Sequence, residues 1–134
     1  FNQEDIKLEG HAIECRINAE RADDFTPSCG KVEILHIPGG PNIRFDSALY
    51  QGCEIPPYYD SMLGKLIVCS RSRENAIRKM RSALSELIVY GVENNSEFHL
   101  KAISDEAFVQ GTYATDFIKT DQQDGEVNEF KRVV

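Results

Sequence analysis

The chain lacks the features that would define a membrane protein or a nucleic-acid-binding protein. No apolar run among its 134 residues approaches the roughly 20 residues that span a bilayer. The start has no basic segment followed by an apolar stretch, so no signal peptide is predicted. The formal net charge is −7, and the lysines and arginines are scattered. Because phosphate binding needs a basic face, the sequence predicts no nucleic-acid partner and no membrane partner.

The cysteines form no metal-binding pattern. They are Cys15, Cys29, Cys53 and Cys69, and no two stand at C-x-x-C spacing or beside a histidine. Cys15 and Cys69 fall in apolar strand patterns, where a free cysteine behaves as a small hydrophobic residue. Two disulfides are arithmetically possible, but the pattern favours reduced thiols, a cytoplasmic protein and no bound metal.

Phosphate-binding and nucleophile motifs are missing as well. Gly39 and Gly40 are flanked by prolines and open no helix, so they predict a turn rather than a phosphate loop. Ser28 and Ser61 belong to no recognisable nucleophile motif. Each of the three histidines stands alone in the sequence, and a lone histidine is more often a packing or surface residue than a ligand.

The most informative segment present is H-A-I-E-C-R-I-N-A-E, at residues 11–20. Its alternation predicts a strand over residues 11–19 with one apolar face and one polar face. The polar face carries Glu14, Arg16, Asn18 and Glu20. An arginine held among acids on a rigid strand is either a salt-bridged structural residue or an anion-stabilising group. The composition does not choose between these two interpretations.

The remaining pattern predicts strands first and helices second. Three further strands are predicted, at residues 31–37, 42–47 and 63–69. Apolar residues at helical spacing predict a helix over residues 74–90, with Ser72 as its N-cap and a stop at Gly91. A shorter helix is predicted over residues 94–103, and a helical turn around Phe108. This order predicts an α+β fold, an antiparallel β-sheet with helices packed on one face.

A second informative segment precedes the last predicted strand. Pro56 and Pro57 interrupt any strand ladder, and Tyr58, Tyr59 and Asp60 follow them. Taken alone, this segment predicts a tyrosine-lined corner closed by a capping aspartate. It is also a loop, and loops carry a disproportionate share of functional residues.

Together these segments resemble the C-terminal domain of biotin carboxylases. The motifs that carry the resemblance, in order, are H-A-I-E-C-R-I-N-A-E, F-T-P-S-C-G-K, P-G-G, I-R, P-Y-Y-D-S-M-L-G-K-L-I, A-L, E-L-I and G-V, followed by Asn95. The match runs without evident gaps from about His11 to Ile118. It predicts a biotin carboxylase C-terminal domain at residues 1–120 and a polar tail at residues 121–134. The start without methionine favours a piece of a longer protein.

The resemblance implies an ATP-grasp ligase that carboxylates the ureido nitrogen of carrier-bound biotin with ATP, Mg²⁺ and bicarbonate. In this family the ATP lid, the Mg²⁺-binding glutamates and the bicarbonate base lie upstream of the C-terminal domain. We therefore expect the chain alone to bind no cofactor and to be inactive. The implied partners are the rest of the biotin carboxylase chain, the biotin carboxyl carrier protein, a carboxyltransferase and a second copy in a homodimer.

The resemblance also assigns roles to individual residues. Arg16 corresponds to the arginine that stabilises the enolate-like ureido oxygen of biotin. A guanidinium suits this role, since it is charged at every working pH and presents a planar fork of donors. Its acidic neighbours are expected to fix its rotamer. Tyr59 and Asp60 correspond to residues that border the biotin pocket, and Thr115 to a side chain that approaches the adenine.

Arg44 and the position of Pro41 correspond to the homodimer interface of bacterial relatives. An aromatic residue often stands at the position of Pro41, and its absence lowers the expected interface affinity. Two other departures from the family pattern are Cys29, where proline is usual, and Asn94, where threonine is common. The change at Cys29 alters a turn and is not expected to affect the chemistry.

The type of carboxylase, and whether the chain serves catalysis at all, have alternatives. The chain ends soon after Ile118, which favours the free-standing biotin carboxylase subunit of an acetyl-CoA carboxylase in fatty acid synthesis. The biotin carboxylase domain of a pyruvate or another acyl-CoA carboxylase is the nearest alternative. A non-catalytic dimerisation module is an alternative of another class, although it would not need the Glu14-x-Arg16 face. A thiol or metal protein would need clustered cysteines.

Overall fold

The computed structural model describes residues 1–118. The strands are β1 (His11–Asn18), β2 (Gly30–Lys31), β3 (Ile34–His36), β4 (Ile43–Asp46), β5 (Glu54–Ile55), β6 (Met62–Ser70) and β7 (Ile88–Tyr90). The helices are α1 (Arg73–Glu86), α2 (Ser96–Ala102) and α3 (Glu106–Gln110), after a short 3-10 turn at Gln3–Asp5. The tail predicted at residues 121–134 and the end of the predicted domain lie outside the described residues.

All strand pairs in the described part are antiparallel, and the predicted α+β class is confirmed. The strands are divided among three sheets, with the orders β1-β6-β4, β2-β5 and β3-β7. In the three-stranded sheet, β6 lies in the centre and β1 is an outer strand. The register of β1 and β6 shifts between Ile17 and Asn18, where an irregularity interrupts the ladder.

The core lies between the three-stranded sheet and α1. Cys15 and Ile17 of β1 and Leu66 of β6 point into it, and none is more than 3% exposed. Helix α1 adds Met80 and Ala83, which are fully buried. The 3.6-residue spacing of apolar positions in α1 matches this buried stripe, and burial of each large side chain contributes about 1.5–3 kcal/mol.

Helix α1 starts as predicted but is shorter than predicted. Ser72 is its N-cap, because the hydroxyl accepts a hydrogen bond from the Asn75 N–H at 3.3 Å. The prediction that the helix continues to Tyr90 is wrong: it ends at Glu86, and Ile88–Tyr90 pairs with β3 instead. The segment Ile-Val-Tyr favours a strand because its side chains are β-branched or aromatic.

Gly91 explains why the chain turns at this point. Its φ is +104°, and a Cβ added there would lie 2.1 Å from the Lys31 carbonyl oxygen. Only glycine allows the backbones to approach this closely. The same region divides the predicted strand at residues 31–37, because Lys31 pairs with β5 whereas Ile34 pairs with β7. No described helix is both long and apolar enough to cross a membrane.

Candidate functional site

Arg16 lies in the middle of β1 on the face opposite the core. Its neighbours Cys15 and Ile17 are 3% and 0% exposed, whereas the Arg16 side chain is 57% exposed. The predicted alternation of apolar and polar faces is confirmed. The packing of the two buried neighbours fixes the direction in which the Arg16 side chain leaves the strand, because successive side chains of a strand point to opposite faces.

The structure brings Asp60 next to Arg16. The Asp60 Oδ2 lies 3.9 Å from the Arg16 Nη2. The other oxygen, Oδ1, accepts a hydrogen bond from the Met62 N–H at 2.9 Å, which is the predicted cap of this corner. Both charged side chains are largely exposed, so their pairing adds at most about 1 kcal/mol to stability. Tyr59, the residue before Asp60, is 83% exposed and does not cover the Arg16 side chain.

Glu20 connects the loop to the strand and does not pair with Arg16. One of its carboxylate oxygens, Oε1, accepts hydrogen bonds from the Ser61 hydroxyl and, at 3.2 Å, from the Asn18 Nδ2. The expectation that several acidic neighbours fix the Arg16 rotamer is therefore wrong, since among residues 1–118 only the Asp60 carboxylate lies within 4 Å of the guanidinium. Within the same range, the buried Asn18 Oδ1 has no hydrogen-bond donor.

Helix α2 contacts the backbone of β1 at Arg16. The Asn95 side chain accepts from the Asn18 N–H at 2.9 Å and donates to the Arg16 carbonyl at 3.2 Å. The His99 Nε2 donates to the same carbonyl at 2.9 Å. Burial lowers the pKa of His99 below its ordinary value, although the hydrogen bond to Arg16 opposes the shift. At neutral pH the ring is therefore neutral, with its proton on Nε2.

No local sequence pattern indicates this contact. The sequence indicates Asn95 as part of the start of a helix and of the family resemblance, without a role, and His99 only as a lone packing or surface residue. A signal could have been found in their spacing, because residues four apart lie on the same face of a helix. Another polar residue that sequence reasoning missed is Lys65, which stands directly opposite Arg16 in the β1–β6 register.

The cations on this face suit the stabilisation of an anion. Arg16 and Lys65 are cross-strand neighbours, and like charges directly opposite each other repel. The next residue in the row, Asp46 of β4, pairs with Arg44 at 2.9 Å. Donors that are fixed before the reaction stabilise a developing negative charge without reorganisation.

The other predicted residues lie apart from this group. Thr115 is exposed in a turn that the Phe117 N–H closes onto the Ala114 carbonyl at 3.1 Å. Pro41 is exposed just before β4, and its carbonyl accepts a hydrogen bond from the Lys79 Nζ at 3.0 Å. Arg44 is exposed on β4, the outer strand of the sheet opposite β1. Their positions do not test the roles predicted for these three residues, which stay predictions.

The cysteines divide into two buried and two exposed thiols. Cys15 and Cys53 are buried, Cys29 and Cys69 are exposed, and all four are free. Cys69 does not behave as the small hydrophobic residue that its apolar strand pattern predicts, because Val68 takes the inward position of β6 and Cys69 is exposed. Burial raises the pKa of the Cys15 thiol to about 12. Within residues 1–118 no three histidine, cysteine or acidic side chains form a group that could hold a metal ion.

Comparisons with known proteins agree on one family. The model of the biotin carboxylase C-terminal domain matches residues 14–120. Biotin carboxylase 1 of Bacillus subtilis is 49% identical over 121 residues, which are 90% of this chain and 27% of the relative. The biotin carboxylase of Haemophilus influenzae is 53% identical over 111 residues, 83% of this chain and 25% of the relative. A pyruvate carboxylase subunit from Methanothermobacter thermautotrophicus is 49% identical over 119 residues, 88% of this chain and 24% of the relative.

Solved structures give the same result. A crystal structure of biotin carboxylase from Campylobacter jejuni superposes with a TM-score of 0.83 at 45% identity and covers 87% of this chain and 26% of that chain. The chain therefore spans about a quarter of the length of the relatives that it matches. Since the family model covers well over half of its residues, the chain belongs to the biotin carboxylase C-terminal domain family.

Proposed function

We propose that this chain acts as the C-terminal part of an ATP-dependent biotin carboxylase, with Arg16 as the residue that stabilises the ureido oxygen of biotin. The observation that supports this role is the position of Arg16, exposed on a strand whose neighbouring residues are buried. Tyr59 and Asp60 border the same open surface and would contact the biotin. Thr115 would lie near the adenine of ATP.

The chemistry requires a fixed cation. The ureido N–H of biotin is a very weak acid, and attack on CO₂ requires a deprotonated, enolate-like group with negative charge on its oxygen. The guanidinium of Arg16 would donate to this oxygen, and Asp60 would limit the rotation of the guanidinium. Preorganised donors of this kind lower the barrier because they are already oriented toward the charge that develops.

ATP, Mg²⁺ and bicarbonate would be bound by the rest of the enzyme. No three acidic, histidine or cysteine side chains in residues 1–118 form a group that could hold a metal ion, so we assign the Mg²⁺ ligands to the rest of the enzyme. The rest of the biotin carboxylase chain, the biotin carboxyl carrier protein and a carboxyltransferase are proposed partners in the cytoplasm. One solved relative, from Hydrogenobacter thermophilus, is described as a biotin carboxylase domain dimer. We propose a similar homodimer through Pro41 and Arg44.

For the acceptor we propose acetyl-CoA, as in fatty acid synthesis. Several similar proteins are named biotin carboxylase, at 44–53% identity, and they outnumber the one named as a subunit of pyruvate carboxylase, which is 49% identical. The assay is direct: the complete enzyme, with its carboxyltransferase, is offered acetyl-CoA, pyruvate and 2-oxoglutarate in parallel. Carboxylation of a keto acid in preference to acetyl-CoA would contradict the proposal.

Replacement of Arg16 tests the catalytic role. In the complete biotin carboxylase that contains this domain, Arg16→Ser is expected to lower biotin carboxylation about 100-fold or more, the size of effect seen when one preorganised donor is removed. Bicarbonate-dependent ATP cleavage is expected to persist, because its groups lie elsewhere. Arg78→Ser is the matched control, since Arg78 is an exposed arginine on α1.

Two outcomes would contradict this function. If Arg16→Ser leaves both reactions intact, Arg16 does not stabilise biotin. If the variant simply unfolds, Arg16 is structural and a non-catalytic dimerisation module becomes the better interpretation. In addition, the chain alone is expected to cleave no ATP, so appreciable bicarbonate-dependent ATPase activity from it would also count against the proposal.

A further inference from the structure

The free edge of β1 is completed by side chains rather than by another strand. β6 pairs with one edge of β1, and β1 is the outer strand of its sheet. At the other edge, the Arg16 carbonyl and the N–H and carbonyl of Asn18 point toward α2. Asn95 supplies a partner for each of the three, and its own N–H donates to the Asn18 carbonyl at 3.2 Å. Its side-chain amide therefore replaces the peptide group of an adjacent strand.

These contacts bracket the point where the main ladder is irregular. The register with β6 shifts between Ile17 and Asn18. The ladder between β1 and β6 therefore holds the backbone less regularly just after Arg16. Asn95 bonds on both sides of the irregularity, to the Arg16 carbonyl and to the Asn18 N–H. The peptide group that follows the Arg16 Cα, and the next one along β1, are thus held by Asn95.

Helix α2 is itself well anchored. The ring of Phe98 packs edge-to-face against Phe25 with centroids 5.0 Å apart, and Ile103 at the end of the helix is 3% exposed. Asn95 is 5% exposed. The second donor to the Arg16 carbonyl, the His99 Nε2, lies one helical turn after Asn95 on the same face. Both donors are therefore carried by the same anchored segment, Asn95 at its N-cap and His99 within it.

We propose that Asn95 and His99 are positioning residues, which set the direction of the Arg16 guanidinium by holding the Arg16 carbonyl and the Asn18 N–H. This inference rests on the proposed function, since it assumes that Arg16 acts on biotin. Both residues would act through the backbone of β1, which their side chains contact. A displacement of a catalytic group by about 1 Å costs up to about 100-fold in rate, so a loosened backbone at Arg16 lowers carboxylation without removing any reacting group.

The test compares two variants of His99 in the complete biotin carboxylase. His99→Leu removes the donor to the Arg16 carbonyl, whereas His99→Gln keeps a nitrogen donor at a similar reach. We expect His99→Leu to lower the kcat of biotin carboxylation about tenfold, with ATP cleavage and the KM for ATP within about twofold of wild type. His99→Gln is expected to restore most of the loss. His36→Leu, at an exposed histidine on β3, is the control.

A double-mutant cycle separates positioning from general damage. If His99 acts through Arg16, His99→Leu has little further effect on the residual carboxylation of Arg16→Ser, so the two effects are not additive. Asn95→Asp tests the other residue, because it keeps the acceptor for the Asn18 N–H and loses the donor to the Arg16 carbonyl.

The outcomes distinguish this inference from the proposed function. If Arg16→Ser abolishes carboxylation while His99→Leu behaves as wild type, the positioning role is overturned and the function stands. The same conclusion follows if His99→Leu and His99→Gln lose activity equally, or if the losses follow the thermal unfolding midpoint. If Arg16→Ser itself has no effect, the proposed function fails first.

Discussion

Strand β1 and the loop at residues 57–61 both reach the candidate site, but they are held in different ways. The strand is fixed on three sides, by β6, by the core beneath Ile17 and by Asn95 at its free edge. The loop is held by few hydrogen bonds, and Tyr59 is 83% exposed. The comparison shows a strand whose backbone is held from several directions beside a loop with fewer contacts.

The largest change is expected from the core beneath the strand. Met80→Ala removes a fully buried side chain and leaves a cavity, so the free energy of unfolding is expected to fall by about 2–5 kcal/mol. Urea unfolding of the chain measures this loss. Val109→Ala, at an exposed position, is the control and is expected to change stability by about 0.5 kcal/mol or less. Equal losses in both variants would show that the strand does not depend on this core.

The edge of β1 is expected to show the next largest effect. Asn95→Ala leaves the Asn18 N–H without its acceptor and the Arg16 carbonyl without one of its donors, which costs about 1–3 kcal/mol of unfolding free energy. Asn75→Ala is the matched control, because Asn75 is exposed on α1. A loss below about 0.5 kcal/mol for Asn95→Ala in urea unfolding would remove the contrast between strand and loop.

The pH dependence of the unfolding free energy tests the same contrast between strand and loop. Because burial lowers the pKa of His99 below its ordinary 6.5, the unfolded chain binds the proton more tightly than the folded chain. The stabilisation by neutral His99 is thus present above pH 6.5 and is lost as the pH falls below it. His99→Gln is expected to flatten this acid limb in urea titrations at several pH values. An unchanged slope, or equal flattening by His11→Gln, would contradict the prediction.

The smallest change is expected in the loop. Asp60→Asn removes the charge that lies 3.9 Å from Arg16 but keeps the Oδ1 acceptor for the Met62 N–H. Since the pair is exposed, the unfolding free energy measured in urea is expected to change by less than about 1 kcal/mol. Asp46→Asn, which breaks the exposed pair with Arg44, is the control. A loss above about 2 kcal/mol for Asp60→Asn would mean that the loop is as firmly held as the strand.

Local patterns predicted much of this fold. Alternation in residues 11–19 predicted both faces of β1, and helical spacing predicted the start of α1, because each pattern repeats within a few residues. The pairing of Ile88–Tyr90 with β3 could not be predicted in this way, since it depends on a partner about 50 residues away in the sequence. A helix-like apolar spacing therefore extended the predicted helix too far.

The residues of the candidate site also differ in whether a local sequence pattern predicts them. Arg16 and Asp60 were found from motifs that resemble a known family, and the structure brings them within 3.9 Å. Asn95 and His99 were missed, because the hydrogen bonds that join them to β1 span 77 to 83 residues of sequence. A polar group that serves the backbone of another segment carries no local periodicity, so only the folded chain reveals it.

The alternation of β1 makes correct strand pairing a condition for an outward-facing Arg16. If β1 paired one residue out of register, the guanidinium of Arg16 would enter the core while Ile17 met water. An unpaired buried cation costs several kcal/mol, which is comparable with the whole stability of a small domain. Folded molecules with a misaligned strand are therefore too unstable to accumulate. The folded fraction of a preparation therefore also gives the fraction of chains in which the Arg16 guanidinium faces the solvent.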